Sequence, residues 1–268
     1  MNQYNFEQFT LAIKSASFIS PKLINSRMTL NFAYTLYLIL QESNAVPKTE
    51  IKKHVQKWFI FTTLTSRYIS SPETKWGQDL KAISEKGFLN YRAELEESEL
   101  SDTFWDIQLV SRLETSSSTS PYFNTFIAAQ VWNADRSLLS ASSKVSDLIG
   151  AGDVHHIFPK DYLKKNNIGE KSLYNQVANY IHLDTGINIT IGNNAPCEYF
   201  GDALKQARGE TLSRPTGTIY NESDFWLSLK ANSIPADIVN MTAVDYSYFL
   251  TERRKLMARK IRDYYYAL

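Results

Sequence analysis

Apolar residues recur at spacings of three and four through most of the first 150 residues, a period that favours α-helices over strands. Ile51, Val55 and Phe59, for example, fall on one face of a helix. The pattern predicts helices over residues 5–16, 21–42, 47–68, 101–114 and 120–133. We therefore expect a mainly α fold built on a helical bundle.

One further helix has sequence signals at both of its ends. Ser70-Ser71-Pro72-Glu73 matches a capping box with proline in the first turn. Gly87 follows Lys86, and glycine is common directly after a helix ends. These signals predict a helix over residues 72–85.

The character of the sequence changes after Gly150. Residues 151–199 are rich in Asn, Gly, Asp and His, and their short apolar pieces are 154–158, 180–183 and 187–191. Short apolar pieces bounded by turn-forming residues are typical of strands. We therefore predict that a small ββα motif is inserted into the bundle, and that helical pattern returns over residues 196–208 and 246–266. The predicted division is a helical domain at 1–150, the ββα motif at 151–210, and a C-terminal helical segment packed on both at 211–268.

Composition excludes several classes of protein. With 43% apolar and 21% charged residues, the chain is typical of a globular protein and not of a disordered one. Cys197 is the only cysteine, which excludes an internal disulfide and a cysteine-rich zinc site. The longest apolar stretch, at 28–40, contains Asn31 and Thr35, and the start lacks the pattern of an export signal. We expect a cytoplasmic protein without membrane contact.

The net charge of +1 is too small for a protein that coats nucleic acid, so any contact with DNA must be local. Residues 252–263 hold the densest basic cluster, with two acids and six cations: Arg253, Arg254, Lys255, Arg259, Lys260 and Arg262. Two interpretations stay open for this cluster. It is the solvated face of a helix, or it contacts phosphates.

The segment from Asp153 to Lys160, Asp-Val-His-His-Ile-Phe-Pro-Lys, contains the residues best suited to chemistry. Cleavage of a phosphodiester needs a base for the attacking water and a positive group near the phosphate. A neutral histidine can accept the proton near pH 7, and Mg²⁺ can supply the charge. Adjacent side chains on a strand point to opposite faces. His155 and His156 can therefore serve one site only if the strand ends there, and Pro159 favours such a break.

The residues that follow the histidine pair make the sequence pattern specific enough to compare with a known family. Asn179 precedes Tyr-Ile-His-Leu, and Asn188, Asn194 and Pro196 come next. That order resembles the HNH (ββα-metal) nucleases, in particular the C-terminal domain of the GmrSD-type modification-dependent restriction endonucleases. Residues 57–70 and 193–199 also look like segments of that family.

The resemblance implies a role for each matched position. His156 would be the general base, and Asn179 would hold the catalytic loop by hydrogen bonds to backbone. His155 and Asn188 would bind one divalent metal, Mg²⁺ or alternatively Mn²⁺. The expected activity is cleavage of DNA, either modified or unmodified, in restriction or phage defence.

Two departures from the family pattern have consequences. Relatives commonly have arginine where this chain has Ile189, so one phosphate contact is in doubt. Relatives also begin with a nucleotide-hydrolysing domain bearing an Asp-Gly-Gln-Gln-Arg string, which does not occur here. A separate domain or subunit of that kind is therefore an expected partner.

Alternatives remain open at this point. The chain could be an inactive HNH-like module that binds DNA or a partner, or a histidine-dependent phosphodiesterase acting on nucleotides. His182 is expected to be structural, and Asp153 to be a turn residue or a neighbour of the metal site. Lys160 fits either a phosphate contact or a solvated side chain. The five tryptophans fall within helical pattern, which favours core packing over base stacking.

Overall fold

The computed structural model describes residues 2–43, 45–150 and 154–268. Helices form most of this part of the chain, and its one sheet has two strands of two residues each. The predicted mainly α fold is confirmed. Asp153 lies outside the described residues. Among those residues, no helix combines the length and the apolar character that a membrane span requires.

Most of the longer helices match the periodic segments of the sequence. In chain order the α-helices are α1 (Gln3–Ser15), α2 (Arg27–Glu42), α3 (Ile51–Leu64), α4 (Pro72–Lys86), α5 (Phe88–Glu99), α6 (Leu109–Arg112), α7 (Pro121–Trp132), α8 (Val145–Leu148), α9 (Lys160–Lys165), α10 (Lys171–Tyr174), α11 (Thr185–Ile191), α12 (Pro196–Ala207), α13 (Glu222–Ala231) and α14 (Tyr246–Ala267). The strands are β1 (His155–His156) and β2 (Tyr180–Ile181). A π-helical stretch, Phe104–Gln108, precedes α6.

The chain divides into two compact units, each formed from segments that are distant in sequence. Unit 1 comprises Met1–Leu109, Thr119–Ala128 and Ile261–Leu268. Unit 2 comprises Val110–Ser118 and Ala129–Lys260, and it contains the histidine pair and both strands. The three consecutive segments expected from the sequence are a different division, and that division stays a prediction.

The core of unit 1 centres on α3, which is buried on most sides. Trp58 is fully buried, and its ring stacks on Phe32 from α2 with centroids 5.9 Å apart. Phe32 also contacts Trp76 edge-on at 5.2 Å. Of the five tryptophans, Trp58 and Trp105 lie in the core as expected, whereas Trp132 is 39% exposed.

A buried ion pair, unexpected from the sequence, joins α4 to the end of α3. Asp79 has no exposed surface, and its carboxylate accepts from Nε and Nη2 of Arg67 at 2.8 and 2.7 Å. The hydroxyls of Tyr68 and Tyr91 donate to the same carboxylate. Four donors satisfy the buried charge, so removal of either partner leaves an unpaired charge in the core.

Some helix boundaries differ from the predictions. The helix expected over 21–42 is interrupted, because Pro21–Leu23 forms a separate 3-10 turn and Ser26 caps α2 through a bond from the Thr29 amide. Helix α4 begins at Pro72 and ends before Gly87 as expected. The capping box is wrong, however, since Ser71 adopts a left-handed φ of 51° and its side chain caps nothing. Helices α5, α9 and α13 were not predicted.

Candidate active site

The histidine pair forms the whole of β1. This strand pairs antiparallel with β2, so that His155 lies opposite Ile181 and His156 lies opposite Tyr180. The strand ends directly after His156, and Pro159 then stands at the N-terminal end of α9. The predicted strand break is confirmed. The order β1, β2, α11 also matches the expected ββα motif, with α9 and α10 between the two strands.

Asn179 is the best-satisfied side chain of this hairpin. It is fully buried, its Oδ1 accepts from the Phe158 amide at 2.8 Å, and its Nδ2 donates to the carbonyls of Phe158 and Tyr174 at 3.1 and 3.2 Å. Its own carbonyl accepts from the Ile157 amide at 2.9 Å. The hydrogen bonds to backbone expected of Asn179 are present, and they fix the segment that follows the histidines.

A buried arginine supports the same hairpin from α14. Arg253 is 1% exposed, and its Nη1 donates to the carbonyls of Ala178 and Tyr180 at 2.9 and 2.8 Å, on either side of Asn179. Burial lowers the pKa of Arg253 to about 9, because removal of the guanidinium from water disfavours its charged form. A buried guanidinium bonded to carbonyls is a structural clamp and cannot contact phosphate.

The basic cluster at 252–263 is therefore not a free patch. Arg253 is buried, and Arg254 is 9% exposed and donates to Oε1 of Gln176 at 2.9 Å. Three of the other cations pair with acids: Lys255 with Glu252, Lys260 with Asp135, and Arg262 with Asp102. The interpretations of a solvated face and of a phosphate contact are both wrong for Arg253 and Arg254. The side of α14 that carries these two arginines is buried against other residues of unit 2.

His156 is half-buried in an aromatic and polar environment. Its Nε2 lies 2.9 Å from Oδ1 of Asn175. An amide oxygen only accepts, so Nε2 must hold the proton and Nδ1 the lone pair. The rings of Tyr180 and Tyr174 contact the imidazole edge-on, at 5.2 and 6.4 Å between centroids.

Burial lowers the pKa of His156, and the nearby charges of Lys160 and His155 lower it further, against the opposing effect of the bond to Asn175. The ring is therefore neutral near pH 7, which is the form that accepts a proton. Asn175 was not among the predicted site residues. The only sequence feature that could have indicated its role is its position four residues before Asn179 in a polar segment. That feature is weak, because asparagines in such segments are usually turn formers.

His155 and His182 are both half-buried. Burial lowers the pKa of His182, and the charge of His155 lowers it further, so the two rings lie within electrostatic range of one another. The carbonyl of His182 accepts a hydrogen bond from Oγ of Ser137 at 3.3 Å. His182 is thus a neighbour of the candidate metal ligand, which its sequence position did not indicate.

Asn188 lies in the first turns of α11, whose N-terminus is capped by Asp184 through a bond from the Gly186 amide. The Asn188 carboxamide is half-buried and forms no hydrogen bond with the residues that the structure describes. The next side chain, Ile189, is 64% exposed, and Nη2 of Arg214 donates to its carbonyl at 3.1 Å. The guanidinium of Arg214, which is 25 residues away in the chain, thus lies beside the backbone of Ile189.

The donor chemistry of His155 and Asn188 fits a divalent metal that keeps most of its water. An amide oxygen suits Mg²⁺, and an imidazole nitrogen also suits Mn²⁺. Among the described residues, no group of three or more His, Cys, Asp and Glu side chains could hold a metal ion. The expected ligand pair of His155 and Asn188 is not such a group, because asparagine is not one of these four residue types.

The chain was compared with protein-family models, with curated proteins and with solved structures, and none of the three comparisons found a match. The resemblance to HNH nucleases therefore depends on the residues and geometry described above.

Proposed function

We propose that this chain is a metal-dependent HNH-type endonuclease that hydrolyses phosphodiester bonds of DNA in the cytoplasm, in modification-dependent restriction or phage defence. The observation that supports it most is the hydrogen bond between Nε2 of His156 and Oδ1 of Asn175. This bond fixes the tautomer and leaves Nδ1 as the only basic nitrogen of a neutral imidazole.

In this mechanism Nδ1 of His156 takes a proton from the attacking water. The water oxygen bonds to phosphorus, the bond from phosphorus to the departing sugar oxygen breaks, and that oxygen takes up a proton from solvent. Asn179 and Arg253 hold the backbone of the strand pair that carries His156. His155 and Asn188 would hold a divalent ion, which when bound neutralises charge on the phosphate.

Cleavage of supercoiled plasmid tests the proposal. The purified chain should nick or cut the plasmid with Mg²⁺ or Mn²⁺ and not with EDTA. His156→Ala should abolish cleavage, because a positioned base contributes roughly 10²- to 10⁴-fold to such reactions. His54→Asn, a histidine substitution in unit 1, is the control and should retain activity. Equal cleavage by wild type and His156→Ala would show that the site assignment is wrong.

Exposed Ile189 favours one second candidate, an HNH-like module that binds DNA or a partner domain without cutting it. Calorimetry with Mn²⁺ at neutral pH separates the two functions. The nuclease should bind the ion, and His155→Ala and Asn188→Ala should each weaken that binding. Duplex binding without any metal binding would favour the module.

A further inference from the structure

Two lysines of α9 lie on the ring of Tyr174, beside the candidate base. Nζ of Lys160 and Nζ of Lys164 are each 5.6 Å from the centroid of that ring. The same ring contacts the imidazole of His156. Tyr174 is buried, so its ring is a fixed platform that holds both ammonium groups near His156.

The positive charge at this platform is poorly compensated. No carboxylate of the described residues pairs with Lys160, and Oδ1 of Asp161 is 3.9 Å from Nζ of Lys164, at the limit of an ion pair. Both lysines are exposed. An anion that approaches this ring is attracted by both ammonium charges.

The lysines of α9 differ in this respect from the cations of α14. Arg253 donates to backbone carbonyls, and Lys260 and Arg262 pair with acids at short distance. Most cations of α14 are thus already paired or buried, with exposed Arg259 as the exception, whereas α9 holds two exposed lysines on one ring. Two further exposed cations lie nearby in the chain, Lys165 at the end of α9 and Lys171 at the start of α10.

We propose that Lys160 and Lys164 form a phosphate-binding surface that seats the DNA backbone beside His156. This inference deepens the proposed function and depends on it for the identity of the polyanion. The geometry suits phosphate groups, because lysines contact phosphate as point charges and need no planar partner. Base edges play no part, so the surface should bind duplexes regardless of sequence.

Salt dependence of binding measures such contacts directly. A fluorescein-labelled duplex is titrated with the full chain in EDTA, where cleavage cannot occur, and anisotropy gives Kd at several salt concentrations. Each lost phosphate contact lowers the slope of log K against log salt by about 0.9. The double variant Lys160→Gln/Lys164→Gln should therefore lose about two units of slope and bind at least about tenfold more weakly at low salt.

The matched control is Lys205→Gln/Lys255→Gln. It removes the same charge from exposed positions of unit 2 where each lysine already pairs with an acid three residues before it, Asp202 or Glu252. The control should keep the wild-type slope. Because all four lysines are exposed, thermal melts of both variants should match wild type.

Three results would overturn the proposal: no duplex binding by wild type at low salt, an unchanged slope in the α9 variant, or an equal loss in the control. Plasmid cleavage with Mg²⁺ or Mn²⁺, measured on the same preparations, separates this failure from failure of the nuclease function. If wild type cleaves but the α9 variant binds normally, only the surface is wrong. If binding depends on the lysines but no protein cleaves, the surface stands and the nuclease function is wrong.

Discussion

Asn179 and Phe158 hydrogen-bond to one another in both directions. The Phe158 amide donates to Oδ1 of Asn179 at 2.8 Å, and Nδ2 of Asn179 donates to the Phe158 carbonyl at 3.1 Å. The Phe158 ring also packs against Phe249 of α14, with centroids 4.8 Å apart. The segment after the two histidines is therefore fixed through both its backbone and its side chain.

Substitution Asn179→Asp should destabilise this hairpin. The carboxylate keeps the acceptor for the Phe158 amide but loses the donor, so that it faces the carbonyls of Phe158 and Tyr174 without a proton between them. The Phe158 carbonyl loses its bond from Asn179, whereas the Tyr174 carbonyl keeps the hydroxyl of Tyr246 at 3.2 Å. A buried acceptor left without a partner costs about 1–3 kcal/mol. Urea unfolding should show a lower midpoint than wild type.

The control for that experiment is Asn166→Asp. Asn166 also donates from Nδ2 to a carbonyl, that of Tyr162 at 2.8 Å, but the bond is exposed and water can replace it. Its free energy of unfolding should change by less than about 0.5 kcal/mol. A similar loss in both variants would contradict the special role of Asn179.

Asn175→Leu should impair cleavage while leaving the fold intact. Without Oδ1 as acceptor, the imidazole of His156 is free to place its proton on either nitrogen and to rotate. We expect the rate of metal-dependent plasmid cleavage to fall by at least about tenfold, within the contribution of a positioned base. Asn175 is half-buried, so the melting temperature should change little. Unchanged cleavage would show that this bond does not orient the base.

The sequence predicted the periodic helices and the strand break, because both depend on local signals. Helix α4 begins at its proline and ends at Gly87, where φ is 78°. The roles of Arg253 and Asn175 could not be predicted. In the sequence Arg253 resembles the exposed cations Lys255 and Arg259 of the same helix, and only packing of α14 against the hairpin distinguishes it. Asn175 lies 19 residues from His156 along the chain, and nothing local indicates their contact.

The buried ion pair of unit 1 could not be predicted from the sequence either. Arg67 and Asp79 are 12 residues apart, and no helical or strand period brings them together. The sequence shows only that each residue is charged, and charged residues are usually exposed. Tertiary packing decides which cations pair inside the protein, and the same limit applies to the cations of α14.

Stability of unit 1 should decrease in mild acid because of His54. Burial lowers its pKa below the ordinary value of 6.5, and the charge of Arg92 lowers it further. The unfolded chain then binds a proton that the folded chain does not, so stability is lost as pH falls below about 6.5. The slope for one proton is at most about 1.4 kcal/mol per pH unit.

His54→Asn tests this pH dependence. Nη1 of Arg92 lies 2.5 Å from Nδ1 of His54, and the amide oxygen of asparagine can accept in its place without titrating. Urea unfolding between about pH 5 and pH 6.5 should show a shallower dependence in the variant than in wild type. Parallel curves would mean that His54 does not contribute.

Among the described glycines, Gly217 is the one where an added Cβ would come closest to another part of the chain. A Cβ at this position would lie 2.3 Å from the carbonyl oxygen of Leu139, and φ is +82°, a conformation that alanine rarely adopts. The Thr218 amide donates to the same carbonyl, so the loop cannot move away without losing that bond. Gly217→Ala should therefore lower the free energy of unfolding by well over about 1 kcal/mol.

Gly201 is the control, because it lies within α12 with open space around its Cβ position. Gly201→Ala should raise the free energy of unfolding by about 0.5–1 kcal/mol. Thermal and urea unfolding of both variants measure the difference, and equal effects of the two substitutions would contradict the tight crossing at Leu139.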